Sequence, residues 1–156
     1  MDAESYLRRS FELAASTMRS GRGGPFGAII VQAGVVIGEG ANRVVETRDP
    51  TAHAEIVAIR AACAKLGDFS LVGSTLYASS EPCPMCLAAI YWARVDSIVF
   101  ATGRGVAASA GFDDQFFYDE LAREPAARRV PMRQMELPDG ARLFDEWAAK
   151  ADKVRY

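Results

Sequence analysis

The sequence predicts an α/β fold, a single domain over residues 1–156 with a mixed sheet. Two observations carry this reading. Phe26 to Val31 and Val35 to Ile37 are apolar, β-rich runs joined through Ala33-Gly34, the pattern of an antiparallel hairpin. Further on, a strand at Ser74 to Ala78, a helix starting at Pro82 and a strand at Asp96 to Ala101 form a strand–helix–strand succession, which implies a parallel pair with a crossover helix.

The elements follow in order. Tyr6, Leu7, Phe11, Leu13, Ala14 and Met18 recur at helical spacing, so residues near 4–20 read as an amphipathic helix. Gly21-Arg22-Gly23-Gly24-Pro25 ends it as a turn; its glycines do not match a dinucleotide-binding loop, and no strand precedes them. After the hairpin, a loop from Asn42 to Pro50 leads into a second helix, with Asp49 or Thr51 able to cap it and Pro50 suited to a first turn. Ile56, Ile59, Ala62, Cys63 and Leu66 line one face, and Gly67 stops it. The third helix runs from Pro82 to about Arg94. Gly103 to Gly111 is small and flexible in composition, Asp113 or Asp114 starts a short helix, Met132 to Leu137 reads as a final strand, and Ala141 to Ala151 as a last helix. There is no internal repeat, low-complexity tract or linker.

Composition narrows the class. Hydrophobic residues make up 50% of the chain and charged residues 24%, as in a soluble globular protein. A formal net charge of −2 excludes a whole-protein basic field for nucleic acid and leaves only a local patch. Acids stand at the amino terminus where a secretion signal would carry bases, and no apolar run approaches a membrane span, so a cytoplasmic location is expected. Three cysteines cannot all pair, and two of them sit in a Cys-x-x-Cys, which favours metal or redox chemistry in a reducing compartment.

Chemistry concentrates in two motifs, Thr51-Ala52-His53-Ala54-Glu55 and Pro82-Cys83-Pro84-Met85-Cys86. His53 is the only histidine. Cys83 and Cys86, three apart at a helix start, present both sulfurs on one face, where the helix dipole favours thiolates. With His53 they make three nitrogen and sulfur ligands for one Zn2+ per chain, leaving the fourth position for water, as in catalytic rather than structural zinc sites. Zinc lowers the pKa of that water toward neutrality. Glu55, two residues past a ligand, can take the water's proton, pass it to a ring nitrogen and then protonate a departing amine. H-x-E followed by P-C-x-x-C is the signature of zinc-dependent nucleobase deaminases. A thioredoxin-like redox pair would leave His53 and Glu55 unexplained, and a structural zinc would lack its fourth ligand. Cys63, on the apolar stripe of its helix, reads as core.

Beyond these motifs the chain resembles the cytidine-deaminase-like superfamily and, within it, the small bacterial guanine deaminases. The resemblance is carried by Asn42-Arg43-Val44, Asp49 to Glu55, Glu81 to Leu87, Ala89 to Arg94, Gly111-Phe112-Asp113-Asp114 and the terminal Tyr156. It implies a three-layer α/β/α sandwich around a mixed sheet of about five strands. It implies zinc held by His53, Cys83 and Cys86, and proton transfer by Glu55 during attack at C2 of guanine, giving xanthine and ammonia. Asn42 and the backbone amide of Ala54 would hydrogen-bond the purine. Asp114 would meet the 2-amino edge and assist proton transfer, and Phe26 and Trp92 would form apolar walls. Tyr156 would close the pocket from the swapped tail of the other subunit of a homodimer.

The residues taken alone leave plainer roles open. Asn42 suits a turn, Asp113 or Asp114 a helix cap, and Phe26 and Trp92 ordinary core; Trp92 also suits a subunit interface, and a terminal Tyr156 is disordered by default. The competing substrates are guanosine, cytosine or an aminotriazine. A tRNA adenosine deaminase would need a basic surface, which the mixed charges of the last helix do not supply. A non-catalytic zinc domain would have no use for Glu55.

Overall fold

The computed structural model describes residues 2–137 and 139–156. The chain forms two compact units, one ending at Tyr118 and the other spanning Asp119–Tyr156. The first unit opens with α1 (Ala3–Arg19), capped by the Asp2 carboxylate, which accepts the Ser5 N–H at 2.9 Å. Its buried line is Tyr6, Ser10, Ala14 and Thr17, whereas Phe11 and Met18 of the expected apolar face are exposed. The reason is close packing: a Cβ on Gly27 would meet the backbone of Ser10 and Ala14, so small residues must face the sheet there. The buried hydroxyls are satisfied by backbone carbonyls, Ser10 donating to Leu7 at 2.7 Å and Thr17 to Asn42 at 2.6 Å.

The sheet contains β1 (Gly27–Gln32), β2 (Val35–Ala41), β3 (Ser74–Ser80) and β4 (Ser97–Thr102) in the order β2-β1-β3-β4. The first three pair antiparallel and β3–β4 is parallel, so the hairpin and the crossover pair both form. Among the described residues there are four strands rather than five. No strand pairs with Met132 to Leu137, and its residues are exposed; a strand needs a ladder partner for its N–H and C=O groups. Every residue of β1 is buried except Gln32, because helices cover both faces. Ile29 and Val31 pack with Tyr6 on the α1 side. Ala28 and Ile30 pack on the other side with Leu71, Leu76 and the helices α3 (Ala54–Leu66) and α4 (Pro84–Trp92).

A four-residue helix, α2 (Val44–Thr47), interrupts the loop that leads from β2 to α3. The cap of α3 is His53, not Asp49 or Thr51; Asp49 instead closes a local turn by accepting the Thr51 N–H and hydroxyl at 2.8 and 2.7 Å. The buried face of α3 is Ala54, Glu55, Ala58 and Ala62, with Ile56, Ile59 and Cys63 only partly covered and Leu66 exposed. Gly38 and Gly40 of β2 dictate this: a Cβ on either would collide with the α3 backbone, so glycine against alanine lets helix and strand approach closely. Gly67 ends α3 with a left-handed φ of 67°. The helix expected from Pro82 begins two residues later, with Cys83 as its cap and Pro84 in its first turn. The segment 103–111 holds a short helix, α5 (Arg104–Ser109), and is followed by α6 (Asp114–Ala122).

Within the second unit, Arg128 donates to the carbonyls of Leu121 and Arg123, and the Arg129 N–H donates to Glu120 at 2.7 Å. α7 (Arg142–Ala149) presents Leu143, Phe144 and Trp147 as exposed apolar side chains.

Candidate active site

Topology explains why the two motifs meet. β2 and β3 both run antiparallel to β1, so both point the same way, and the helices that follow them, α3 and α4, start at the same end of the sheet. His53 and Cys83 occupy the cap positions of these helices, both in extended backbone, and Cys86 lies in the first turn of α4. The loop before α3 is closed by the Arg43 N–H donating to the Ala52 carbonyl at 2.9 Å.

The donor atoms fit a metal. His53 Nδ1 lies 3.5 Å from Cys83 Sγ and 3.5 Å from Cys86 Sγ, and the three donor atoms all lie within 4.8 Å of one another. Tetrahedral zinc with Zn–N of about 2.0 Å and Zn–S of about 2.3 Å places nitrogen and sulfur ~3.5 Å apart. Both cysteines are buried. The Cys86 thiol hydrogen-bonds toward Cys83 and holds it down to about 4, with His53 beside it acting in the same direction; Cys86 is pushed up in turn, first by that bond and then by burial. A divalent cation held here would take both sulfurs as thiolates. His53 is raised, chiefly by its hydrogen bond with Cys83.

Glu55 is 8% exposed and its Oε2 lies 3.4 Å from Cys86 Sγ. Burial pushes its carboxyl up to about 7, and the neighbouring Cys83 adds to the rise. A cavity of about 280 Å³ opens over these groups, lined among others by His53, Glu55, Asn42, Phe26, Phe112 and Asp114. That volume lies at the small end of ligand sites, about 300–1,000 Å³, and suits one planar base.

Asn42 is both turn residue and cavity wall. Its Oδ1 accepts the N–H groups of Gly24 at 3.3 Å and Val44 at 3.2 Å, which fixes the amide orientation. Gly23 is obligatory there, because a Cβ would overlap Asn42. The helix ladder of α3 starts with the Val57 N–H donating to the His53 carbonyl at 3.0 Å, so the Ala54 N–H lies outside it, as first-turn amides do. Asp114 lines the cavity at the first position of α6; partial burial raises its carboxyl, with Cys83 contributing and His53 opposing.

Phe26 forms one wall and meets Phe112 edge-to-face, ring centroids 4.7 Å apart at 81°. Phe112 and Glu81 were not assigned roles by sequence reasoning, although Phe112 stands in the Gly-Phe-Asp-Asp segment and Glu81 immediately precedes the Pro-Cys motif. Trp92, at the end of α4, is 62% exposed and is not part of this cavity's lining. Tyr156 belongs to the second unit and is exposed.

Comparison with known proteins agrees with this arrangement. The family described as the cytidine and deoxycytidylate deaminase zinc-binding region matches residues 1–102. The guanine deaminase of Bacillus subtilis is 46% identical over 156 residues, covering all of both chains, and its crystal structure matches with a TM-score of 0.96 over 100% of this chain and 99% of that one. A structure solved in complex with 2,6-diaminopurine matches with a TM-score of 0.69 and 36% identity, over 72% of this chain and 63% of that one. The tRNA-specific adenosine deaminase of Aquifex aeolicus is more distant, 40% identical over 65% of this chain and 66% of its own length. With His53, Cys83 and Cys86 gathered at two converging helix starts and the family match spanning both motifs, this chain belongs to the cytidine and deoxycytidylate deaminase zinc-binding family.

Proposed function

We propose that the protein hydrolyses guanine to xanthine and ammonia in the cytoplasm. The observation that carries this reading is one small cavity lined by His53 and Cys83 of the metal-binding triad, the buried Glu55 and Asp114. His53, Cys83 and Cys86 hold zinc, which when bound supplies an acidified water as nucleophile near neutral pH. Glu55, next to the triad and shielded from solvent, takes the proton of the attacking water and delivers it to the purine ring nitrogen, then takes the proton of the newly added hydroxyl and passes it to the departing amine, which leaves as ammonia. Asp114 accepts hydrogen bonds from the N1–H and 2-amino edge of guanine, and the Asn42 Nδ2 and Ala54 N–H donate to ring acceptors. Phe26 and Phe112, packed edge-to-face, together form an apolar wall against the base and exclude water. A base lacking guanine's donors leaves Asp114 desolvated and unpaired, at a cost of about 1–3 kcal/mol or more for a charged group.

The active form is a homodimer in which Tyr156 of the partner subunit closes the pocket through an exchanged tail. The exposed Leu143, Phe144 and Trp147 on α7 support this, because a short helix with an uncovered apolar face is unstable alone. A single panel tests the substrate. The zinc-loaded protein is incubated with guanine, guanosine, adenine, cytosine, an aminotriazine and a tRNA anticodon stem-loop, and ammonia is measured. Release from guanine with xanthine as product is expected. Silence on guanine with turnover of another substrate would overturn the assignment, and sedimentation at one-chain mass would remove the exchanged tail.

A further inference from the structure

Asp114 can read a purine only if its carboxylate keeps a fixed distance from the metal site, yet it stands at the start of α6, a nine-residue helix on a different segment of the chain. One cluster of side chains joins the two. Tyr118 lies four residues after Asp114, hence on the same face of α6. Its hydroxyl donates to the carbonyl of Pro82 at 2.8 Å, and Pro82 immediately precedes the metal ligand Cys83. The Arg104 guanidinium lies 4.1 Å from the Tyr118 ring centroid, in cation–π contact. Arg104 also holds the residue before Pro82: its backbone N–H donates to Glu81 Oε2 at 3.0 Å, and its guanidinium approaches Glu81 Oε1 at 3.8 Å. The Glu81 N–H in turn donates to the Thr102 carbonyl at 2.8 Å, anchoring the start of the cysteine loop to β4.

We propose that Tyr118, braced by Arg104, is a positioning residue that ties α6 to the cysteine loop and so sets where the Asp114 carboxylate stands relative to the metal ligands. The role rests on Asp114 contacting substrate as described above. Neither Tyr118 nor Arg104 lines the cavity, so neither touches the base; both act through Asp114. The hydroxyl of Tyr118 is the decisive atom, since it reaches from α6 to the Pro82 carbonyl, and Arg104 keeps the ring from swinging away.

The test separates positioning from bulk stability. Tyr118→Phe keeps the ring and removes only the hydroxyl. With a misplacement of the order of 1 Å worth roughly 10²-fold in rate, kcat/KM for guanine is expected to fall about 10- to 100-fold, with one zinc per chain retained. Arg104→Ala is expected to cost part of the same loss and Arg104→Lys to restore some of it. The defining measurement is the dissociation constant for guanine in the non-turning-over Glu55→Gln protein, with Asp114→Ala, Tyr118→Phe and both together. If Tyr118 acts through Asp114, Tyr118→Phe weakens binding only while Asp114 is present. Equal weakening with and without Asp114, undiminished turnover in Tyr118→Phe, or loss of zinc from that variant would each overturn the proposal. Unchanged binding in Asp114→Ala would instead remove the substrate role of Asp114 itself.

Discussion

Gly40→Ala places one methyl group where the start of α3 rests on β2. The added Cβ would stand 2.5 Å from the Ala58 nitrogen and closer still to the Ala54 carbonyl oxygen, both backbone atoms of α3. Ordinary contact begins at 3.4 Å, so the helix backbone must withdraw by about 0.9 Å at Ala58 and by more at the Ala54 carbonyl. That turn begins at the cap, His53, and carries Glu55. Overpacking of this kind costs about 1–3 kcal/mol, and a shift near 1 Å at reacting groups costs on the order of 10²-fold in rate. The substitution is therefore expected to lower the thermal midpoint modestly, weaken zinc and reduce turnover far more than the stability loss explains. Gly34→Ala is the control. It sits in the hairpin turn at φ 77° with nothing within 4 Å of an added Cβ, so it carries backbone strain but no clash and does not touch α3. Zinc affinity is read by competition with a chromogenic chelator and turnover by ammonia release. Gly40→Ala protein with wild-type zinc affinity and wild-type kcat would refute the claim that this glycine sets the position of the metal histidine.

Other consequences are simpler to measure. Glu55→Gln is expected to bind one zinc per chain and release ammonia at least 10²-fold more slowly, since general acid–base groups contribute about 10²–10⁴-fold; substantial activity would sink the proton-carrier role. Removing zinc with a chelator is expected to lower the thermal midpoint, because a ligand at 1,000 times its Kd stabilises the folded state by about 4 kcal/mol, and re-adding zinc restores it. An unchanged midpoint with proven metal loss would contradict a site assembled from two helix starts. Leu76→Ala, in β3 at 0% exposure, is expected to cost about 2–5 kcal/mol in urea unfolding while leaving one zinc bound per folded chain.

The chemistry was legible in the sequence because it depends on residue types at short spacings. Cys-x-x-Cys sets its own geometry on one helical turn, and a lone histidine two residues before a glutamate leaves little choice of partner. The hairpin and the crossover pair were legible for the same reason, since their hydrophobic periods are local. The helix faces were less so: Phe11, Met18 and Leu66 follow a 3.6-residue pattern but stay exposed, because the covered stripes are set by what the sheet can accommodate opposite Gly27, Gly38 and Gly40. The strand expected at Met132 to Leu137 finds no ladder partner.

Sequence by itself therefore determined the metal-ligand set and the α/β class and singled out Glu55 as the candidate proton carrier, all of which follow from local spacing. Only the tertiary structure decided that β2 and β3 point the same way and bring His53 to Cys83 and Cys86, that the Asn42 carbonyl oxygen is held by Gly24 and Val44 at the cavity wall, that Phe112 meets Phe26, and that Trp92 lies outside the cavity lining. These depend on strand direction, backbone hydrogen bonds and close packing between segments far apart in the chain, and no local pattern encodes them.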